Sequence, residues 1–253
     1  MMRIERIISA ALVLFLMSMA GYPQQLTAKE IVIKADNLQR GKSSKSEMKM
    51  MVIRPKWTRT ITMKSWSLGR EYSMTLITAP AKDKGQVFLK YENEMWNWVP
   101  SINRMIKLPP SMMSQGWMGS DYTNDDILKE SSIVVDYDHK IIGEEKISGL
   151  DCYKIELMPK EDAAVVWGKV IKWISKDKFW QMKTEYFDED EELIRSEIAS
   201  DVKNYGDREL PSHIEIIPAD KPGHKTVLDV LSAQFDIKMG KGFFSQQNMK
   251  RVR

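Results

Sequence analysis

The chain has 253 residues, of which 43% are hydrophobic and 29% are charged. Its 38 basic and 35 acidic residues almost cancel, and this balance argues against nucleic acid or a polyanionic surface as the main partner. A single cysteine, Cys152, excludes an intramolecular disulfide, so the stability of the fold must come from its core. The residues around Cys152 are typical of a strand, and we expect its thiol to be buried.

The N-terminus has the three parts of a secretory signal. Arg3 and Arg6 form a positive segment, residues 7–19 form an apolar run, and small residues precede a cleavage site after Ala20. Ala28 is a second, weaker candidate for that site. An uncleaved membrane anchor is the alternative interpretation, although the apolar run is shorter than the ~20 residues that span a bilayer.

We therefore expect residues 1–20 to be removed as a signal peptide and residues 21–253 to form a single exported domain. No cysteine lies near the cleavage site, so the sequence carries no signal for lipid attachment there. Cleavage lowers the net charge from +3 to +2, because it removes two arginines and one glutamate. The expected product is a soluble periplasmic protein.

One helix is predicted at the start of this domain. Thr27 and Glu30 have the spacing of a capping box, Ile31 and Ala35 fall on one face, and Gly41 stops the run. A second, short helix is predicted after Thr123, and a third near the C-terminus.

Beyond the first helix the hydrophobic period changes to two, as in Met48, Met50 and Val52. Similar runs, separated by turn signals, predict ten or eleven antiparallel strands. We expect a mainly β fold, a single curved sheet that forms an incomplete, open β-barrel with a few covering helices. Either the sheet closes tightly on itself or a cavity remains for an apolar ligand. Four residues of the apolar face are candidate ligand contacts: Trp57, Met63, Trp180 and Met182.

The loop over residues 96–122 is unusually apolar. Prolines and glycines prevent it from forming one regular element, and clustered Met and Trp side chains adapt to apolar ligands of varied shape. We interpret the loop as a lid over an apolar ligand; the alternative is a plug that fills the protein's own core. The candidate contacts in this loop are Trp96, Trp98, Met105, Met112, Met113, Trp117, Met118 and Tyr122.

Trp96 and Trp98 are separated by one residue on a predicted strand, so both side chains point to the same face of the sheet. Because they directly precede the methionine-rich part of this loop in the sequence, we expect that face to be the concave one. Trp180 and Met182 also share one face of their strand, and the sequence leaves open whether it is the same face.

The sequence offers no group of residues typical of catalysis. His139, His213 and His224 are far apart and lack the spacing of metal ligands. Asp125 and Asp126 are better explained as negative charges at a helix N-terminus. We predict a protein that is not an enzyme and that has neither a metal nor a cofactor.

Several segments resemble a known family. They are RGKSS at residues 40–44, RPKWTR at 54–59, EMWNWVP at 94–100, PPSMM at 109–113 and GWMGSD at 116–121. Together with the exported N-terminus and the first helix, these segments resemble the outer-membrane lipoprotein-sorting proteins of the LolA/LolB-like group, in a divergent and larger branch. The resemblance runs over nearly all of residues 21–253.

The resemblance implies an incomplete antiparallel β-barrel whose cavity holds the acyl chains of a lipoprotein, a phospholipid or a fatty acid. It implies a periplasmic carrier working toward the outer membrane, with an inner-membrane transporter and an outer-membrane acceptor as candidate partners. The absence of a lipid-attachment cysteine favours the soluble carrier role. The alternatives are a sensor of lipoproteins or lipids and an accessory subunit of an inner-membrane exporter.

Overall fold

The computed structural model describes residues 25–129, 133–163 and 165–253. They form one antiparallel sheet of thirteen strands with the order β6-β5-β4-β3-β2-β1-β13-β12-β11-β10-β9-β8-β7. The end strands β6 and β7 do not pair with each other, so the sheet stays open. The predicted fold class is therefore confirmed, with thirteen strands in place of the ten or eleven expected. The predicted signal peptide, residues 1–20, lies outside the described residues.

The helices and strands have the following bounds. The α-helices are α1 (Ala28–Arg40), α2 (Asn124–Lys129) and α3 (Gln246–Met249). The strands are β1 (Ser43–Arg54), β2 (Trp57–Leu68), β3 (Tyr72–Ala79), β4 (Val87–Tyr91), β5 (Glu94–Val99), β6 (Arg104–Lys107), β7 (Tyr137–Ile147), β8 (Leu150–Pro159), β9 (Lys169–Ser175), β10 (Gln181–Phe187), β11 (Leu193–Asn204), β12 (Glu209–Pro218) and β13 (Lys225–Phe235). Within the described part of the chain, no helix combines the length and the apolar character needed to cross a membrane.

Helix α1 forms as its sequence predicts. The Thr27 hydroxyl accepts a hydrogen bond from the Glu30 backbone N–H, the Glu30 carboxylate accepts one from the Thr27 N–H, and the helix ends at Gly41. Its apolar face packs on β7–β9, where Ile31 and Ala35 join a buried cluster with Ile155 and other residues. Full burial of Ile31 contributes about 1.5–3 kcal/mol to the free energy of folding. Helix α1 is therefore packed stably over this half of the sheet.

The other half of the concave face is covered by the loop over residues 108–129. Met50, Ile61 and Met63 of the sheet form a buried cluster with Leu108 and Trp117 of this loop. We call residues 108–129 the lid. Helix α2 lies at its end, begun by a Thr123 hydroxyl that accepts from the Asp126 N–H at 3.0 Å. Helix α1 and the lid therefore cover different halves of one concave face.

The C-terminal segment, residues 239–252, covers the outer face of β2–β5. Phe244 and Met249 are each 1% exposed and pack with Trp66, Met74 and other outer-face side chains. Each face of the sheet in this region therefore packs against a different segment of the chain.

Cys152 is fully buried, as its setting predicted. Burial raises the pKa of its thiol above the ordinary value, while a hydrogen bond with the Ile147 backbone acts in the opposite direction. The thiol is therefore inert in the folded protein.

We expect the stability of the protein to fall as the pH is lowered through about 6.5. Burial lowers the pKa of His139 on β7 below its ordinary value, more strongly than the hydrogen bond between its Nε2 and the Ile133 carbonyl raises it. The unfolded chain consequently binds a proton more readily than the folded one. Urea unfolding at pH 7.5 and pH 5.5 should show this loss in the wild type and a smaller one in His139→Gln. Equal losses in both proteins would contradict the prediction.

Candidate functional site

A cavity of about 410 Å³ lies between the concave face of the sheet and its two covers, α1 and the lid. This volume is within the range of about 300–1,000 Å³ that is usual for small-molecule sites. Ala35 and Gln39 of α1 line one side, and Trp117 and Ile127 of the lid line the other. The cavity is the candidate functional site.

One part of the cavity floor is apolar. The strand register places Met48 opposite Met63 and Met63 opposite Ile77, and in the next row it places Met50 opposite Ile61. We call these two rows the methionine rows. Their three methionines all line the cavity, and flexible, polarizable side chains of this kind suit an acyl chain, which has no fixed shape.

The adjacent part of the floor carries hydroxyl groups in place of apolar side chains. Six hydroxyl-bearing residues form two rows, each with one residue from β1, one from β2 and one from β3 paired in register. All six line the cavity. Ser44 and Ser67 are joined by a hydrogen bond of 2.7 Å, and Ser65 and Thr75 by one of 3.1 Å. We call them the hydroxyl rows: Ser44, Ser67 and Ser73 in one, and Ser46, Ser65 and Thr75 in the other.

Polar contacts attach the lid to the sheet. Asp121 forms an ion pair with Arg54 at 3.1 Å and accepts a hydrogen bond of 2.6 Å from the Thr226 hydroxyl. Arg54 also donates to the Gly119 carbonyl at 2.9 Å. Between these anchors, Trp117 is 6% exposed and its ring centroid lies 5.3 Å from that of Phe88. The lid is thus held by its polar anchors and by one buried aromatic side chain.

Arg195 on β11 is the strongest link between the lid and the sheet. Its guanidinium donates to Asp126 of α2 at 2.6 Å and to the Asp121 carbonyl at 3.1 Å, and it lies 3.4 Å from Glu197. Burial alone would lower the pKa of Arg195, but Tyr186, Glu197 and Asp126 outweigh it and the pKa is raised. Arg195 is therefore a permanent cation in the cavity wall.

Three aromatic rings surround the same guanidinium. Its central carbon lies 5.1 Å from the ring centroid of Tyr122, 4.9 Å from that of Trp167 and 4.3 Å from that of Tyr186. Trp167 in turn donates its indole N–H to Asp126 at 3.2 Å. Aromatic and charged groups thus form one compact cluster beneath the lid.

A second ion-pair cluster lies where α1 meets the turn between β2 and β3. Asp36 is 4% exposed and pairs with Arg40 at 3.3 Å and with the Nε of Arg70 at 3.0 Å. All three residues line the cavity. Among residues 25–129, 133–163 and 165–253, no three His, Cys, Asp or Glu side chains are grouped so that they could hold a metal ion.

The structure distributes the candidate contacts predicted from the sequence over four places. Those that line the cavity are Met63, Trp117, Tyr122, Trp180 and Met182. Met112, Met113 and Met118 lie half-buried in the lid, and Met113 and Met118 pack on the buried cluster beneath it. Trp57 is 50% exposed at the start of β2. The remaining three, Trp96, Trp98 and Met105, pack with the C-terminal segment.

Trp96 and Trp98 do share a face of β5, but it is the outer face. The register aligns Trp98 with Val87 and Leu76, which point away from the cavity and pack with Phe244 and Met249. The expectation that these two tryptophans line the concave face was therefore wrong. Their apolar surface is buried by the C-terminal segment, which the sequence pattern did not connect with them.

A model of a protein family described as an uncharacterized protein matches residues 69–251. The chain belongs to this family. The match covers β3 to β13, together with the lid and most of the C-terminal segment. No curated protein sequence matches the chain.

Solved structures of the same fold confirm the resemblance to the LolA group. A DUF1329 family protein from Desulfovibrio piger is 22% identical, with a TM-score of 0.79 over 88% of this chain and 97% of its own. A candidate outer membrane lipoprotein-sorting protein domain from Vibrio parahaemolyticus is 21% identical, with a TM-score of 0.77 over 88% and 98%. A LolA superfamily protein from Nitrosomonas europaea is 25% identical, with a TM-score of 0.74 over 88% and 99%.

Sequence reasoning missed the polar residues of the cavity. Arg195 and Lys90 were not predicted, and Asp126 was assigned only to a helix N-terminus. The sequence contained one signal for these polar residues. Ser44, Ser46, Met48 and Met50 occupy alternate positions of β1 and therefore share one face of the strand. Extending the apolar face along the strand would have placed these hydroxyls in the cavity.

Proposed function

We propose that this protein is a periplasmic carrier. It binds the acyl chains of lipoproteins or other lipids in its cavity, carries them toward the outer membrane and catalyses no reaction. An inner-membrane transporter that loads it and an outer-membrane acceptor that unloads it are the partners we propose.

One observation carries this proposal: a cavity with a methionine-lined floor lies beneath a lid that packs on it with its own apolar side chains. Each methylene group removed from water contributes about 0.8 kcal/mol, so an acyl chain supplies a large binding energy. A carrier must also release its cargo. Flexible methionine side chains, which pack with modest precision, suit that requirement. The fold shared with lipoprotein-sorting relatives agrees with this role.

The position of the bound acyl chain can be tested with two tryptophans on opposite faces of the sheet. A fatty acid brominated on its chain should quench part of the wild-type tryptophan emission. Trp117→Phe should lose much of that quenching, because Trp117 lines the cavity. Trp98→Phe should keep it, because Trp98 packs on the outer face. Equal quenching in both variants would contradict binding in the cavity.

The carrier function itself is tested by mass spectrometry under native conditions. Protein purified without delipidation should carry lipid, and that lipid should be recovered chemically unchanged after incubation. A preparation free of lipid that also fails to bind a fluorescent fatty acid would refute the carrier function. Recovery of a hydrolysed lipid would refute the absence of catalysis. Capture of an inner-membrane complex by lipid-free protein would favour the accessory-subunit alternative.

A further inference from the structure

One of the two hydroxyl rows ends at a buried lysine. Ser73 lies opposite Lys90 in the pairing of β3 and β4, so Lys90 continues the row formed by Ser44, Ser67 and Ser73. Lys90 is 8% exposed and lines the cavity. Withdrawing an ammonium group from water is costly, and three hydroxyl-bearing residues in register with it make this part of the floor strongly polar.

This part of the cavity is rich in hydrogen-bond donors. In each hydroxyl pair, Ser44–Ser67 and Ser65–Thr75, the bond uses one of two protons, so one donor in each pair can serve another acceptor. A ligand with several oxygen acceptors would satisfy these groups.

The charged side chains that line the cavity favour an anionic ligand. Among the described residues, six cationic and four acidic side chains line it, so this part of the lining is net positive. Near the hydroxyl rows, Arg70 and Arg40 share one carboxylate, that of Asp36, and Lys90 adds a further positive charge to the lining. An anion placed there gains electrostatic attraction that a neutral group does not.

We infer that the hydroxyl rows and Lys90 form a subsite for the anionic headgroup, phosphate or carboxylate, of an amphiphile whose acyl chain lies over the methionine rows. The inference rests on the carrier function proposed above and specifies its cargo. The two kinds of row are adjacent in the register, so a headgroup and the first methylenes of its chain meet the polar and the apolar rows in sequence. The cavity therefore selects its ligand by charge as well as by apolar surface.

Three amphiphiles with the same chain test the subsite: dodecyl phosphate, dodecanoate and dodecanol, titrated below their micelle concentrations by calorimetry. We expect each of the two anions to bind about tenfold or more tightly than dodecanol, as charge-assisted hydrogen bonds require. Lys90→Met should remove most of this preference while leaving the affinity for dodecanol unchanged. Because the substitution keeps a similar side-chain volume, the variant should fold.

A second variant and a matched control complete the test. Ser67→Ala with Ser73→Ala should reduce the preference for anions in part. Thr62→Val with Thr78→Val removes a hydroxyl pair joined at 2.8 Å that belongs to neither hydroxyl row, and it should not change the preference for anions.

Equal binding of dodecanol and the anions by the wild type would refute the subsite but leave the carrier function intact. Binding of none of the three would refute both. Inorganic phosphate that binds as tightly as dodecyl phosphate would point to a free anion and refute the headgroup assignment.

Discussion

Replacing Arg195 by Met should lower the free energy of unfolding by about 3–5 kcal/mol, because it leaves buried carboxylates without their counter-ion. The side chains of Arg195 and Asp126 are 4% and 8% exposed, and Glu197 is the third member of the group. The loss should also loosen the lid, since Arg195 holds both Asp126 and the Asp121 carbonyl. Urea unfolding measures the first effect, and hydrogen exchange of residues 117–127 measures the second.

A surface ion pair provides the control for this measurement. Lys146 and Asp151 are 3.6 Å apart, but their side chains are 70% and 67% exposed, so Lys146→Met should cost less than about 1 kcal/mol. Adding Asp126→Asn and Glu197→Gln to Arg195→Met should recover part of the loss, because the uncompensated charges are removed together. A cost below about 1 kcal/mol for Arg195→Met alone would show that the cluster does not hold the lid.

Replacing Trp117 by Ala should lower the free energy of unfolding by about 3–5 kcal/mol, the usual cost of removing a buried aromatic side chain. The side chain belongs to the buried cluster beneath the lid and contacts Phe88. Because Trp117 also lines the cavity, an acyl chain can fill part of the void. Added dodecanoate should therefore raise the melting temperature of Trp117→Ala more than that of the wild type.

Three half-buried methionines of the lid provide a comparison for the Trp117→Ala variant. Met112→Ser, Met113→Ser and Met118→Ser together should lower stability by less than Trp117→Ala does, since their side chains retain contact with solvent. If the lid covers bound lipid, the triple variant should bind fatty acid more weakly. An unfolded triple variant that added lipid does not rescue would support the alternative that the loop is a plug of the core.

The elements that follow from local rules were predictable. Helix α1 begins at Thr27 and ends before Gly41, because a capping box and a glycine act within one turn of the chain. Met48, Met50 and Val52 share one face because side chains alternate along a strand. The open sheet followed from the number of such runs and the scarcity of helices to cover them.

The assignment of Trp96 and Trp98 shows where local rules stop. The alternation along β5 established that the two side chains share a face of the strand. Both faces of β5 carry apolar side chains, so the alternation does not distinguish the concave face from the outer one. The face that becomes concave depends on the direction in which thirteen strands curve. It also depends on a segment near residue 244, far from both tryptophans in the chain, which packs against the outer face.

The sequence by itself determined the strands, the first helix, the apolar lid and the absence of disulfides, because each depends on the order of neighbouring residues or on composition. Only the tertiary structure brought Arg195 to Asp126 and aligned Ser44, Ser67 and Ser73 with Lys90. Such contacts join residues far apart in the chain, and their energies depend on burial, which no local pattern contains. The polar character of the cavity was therefore decided by the packing of the whole sheet.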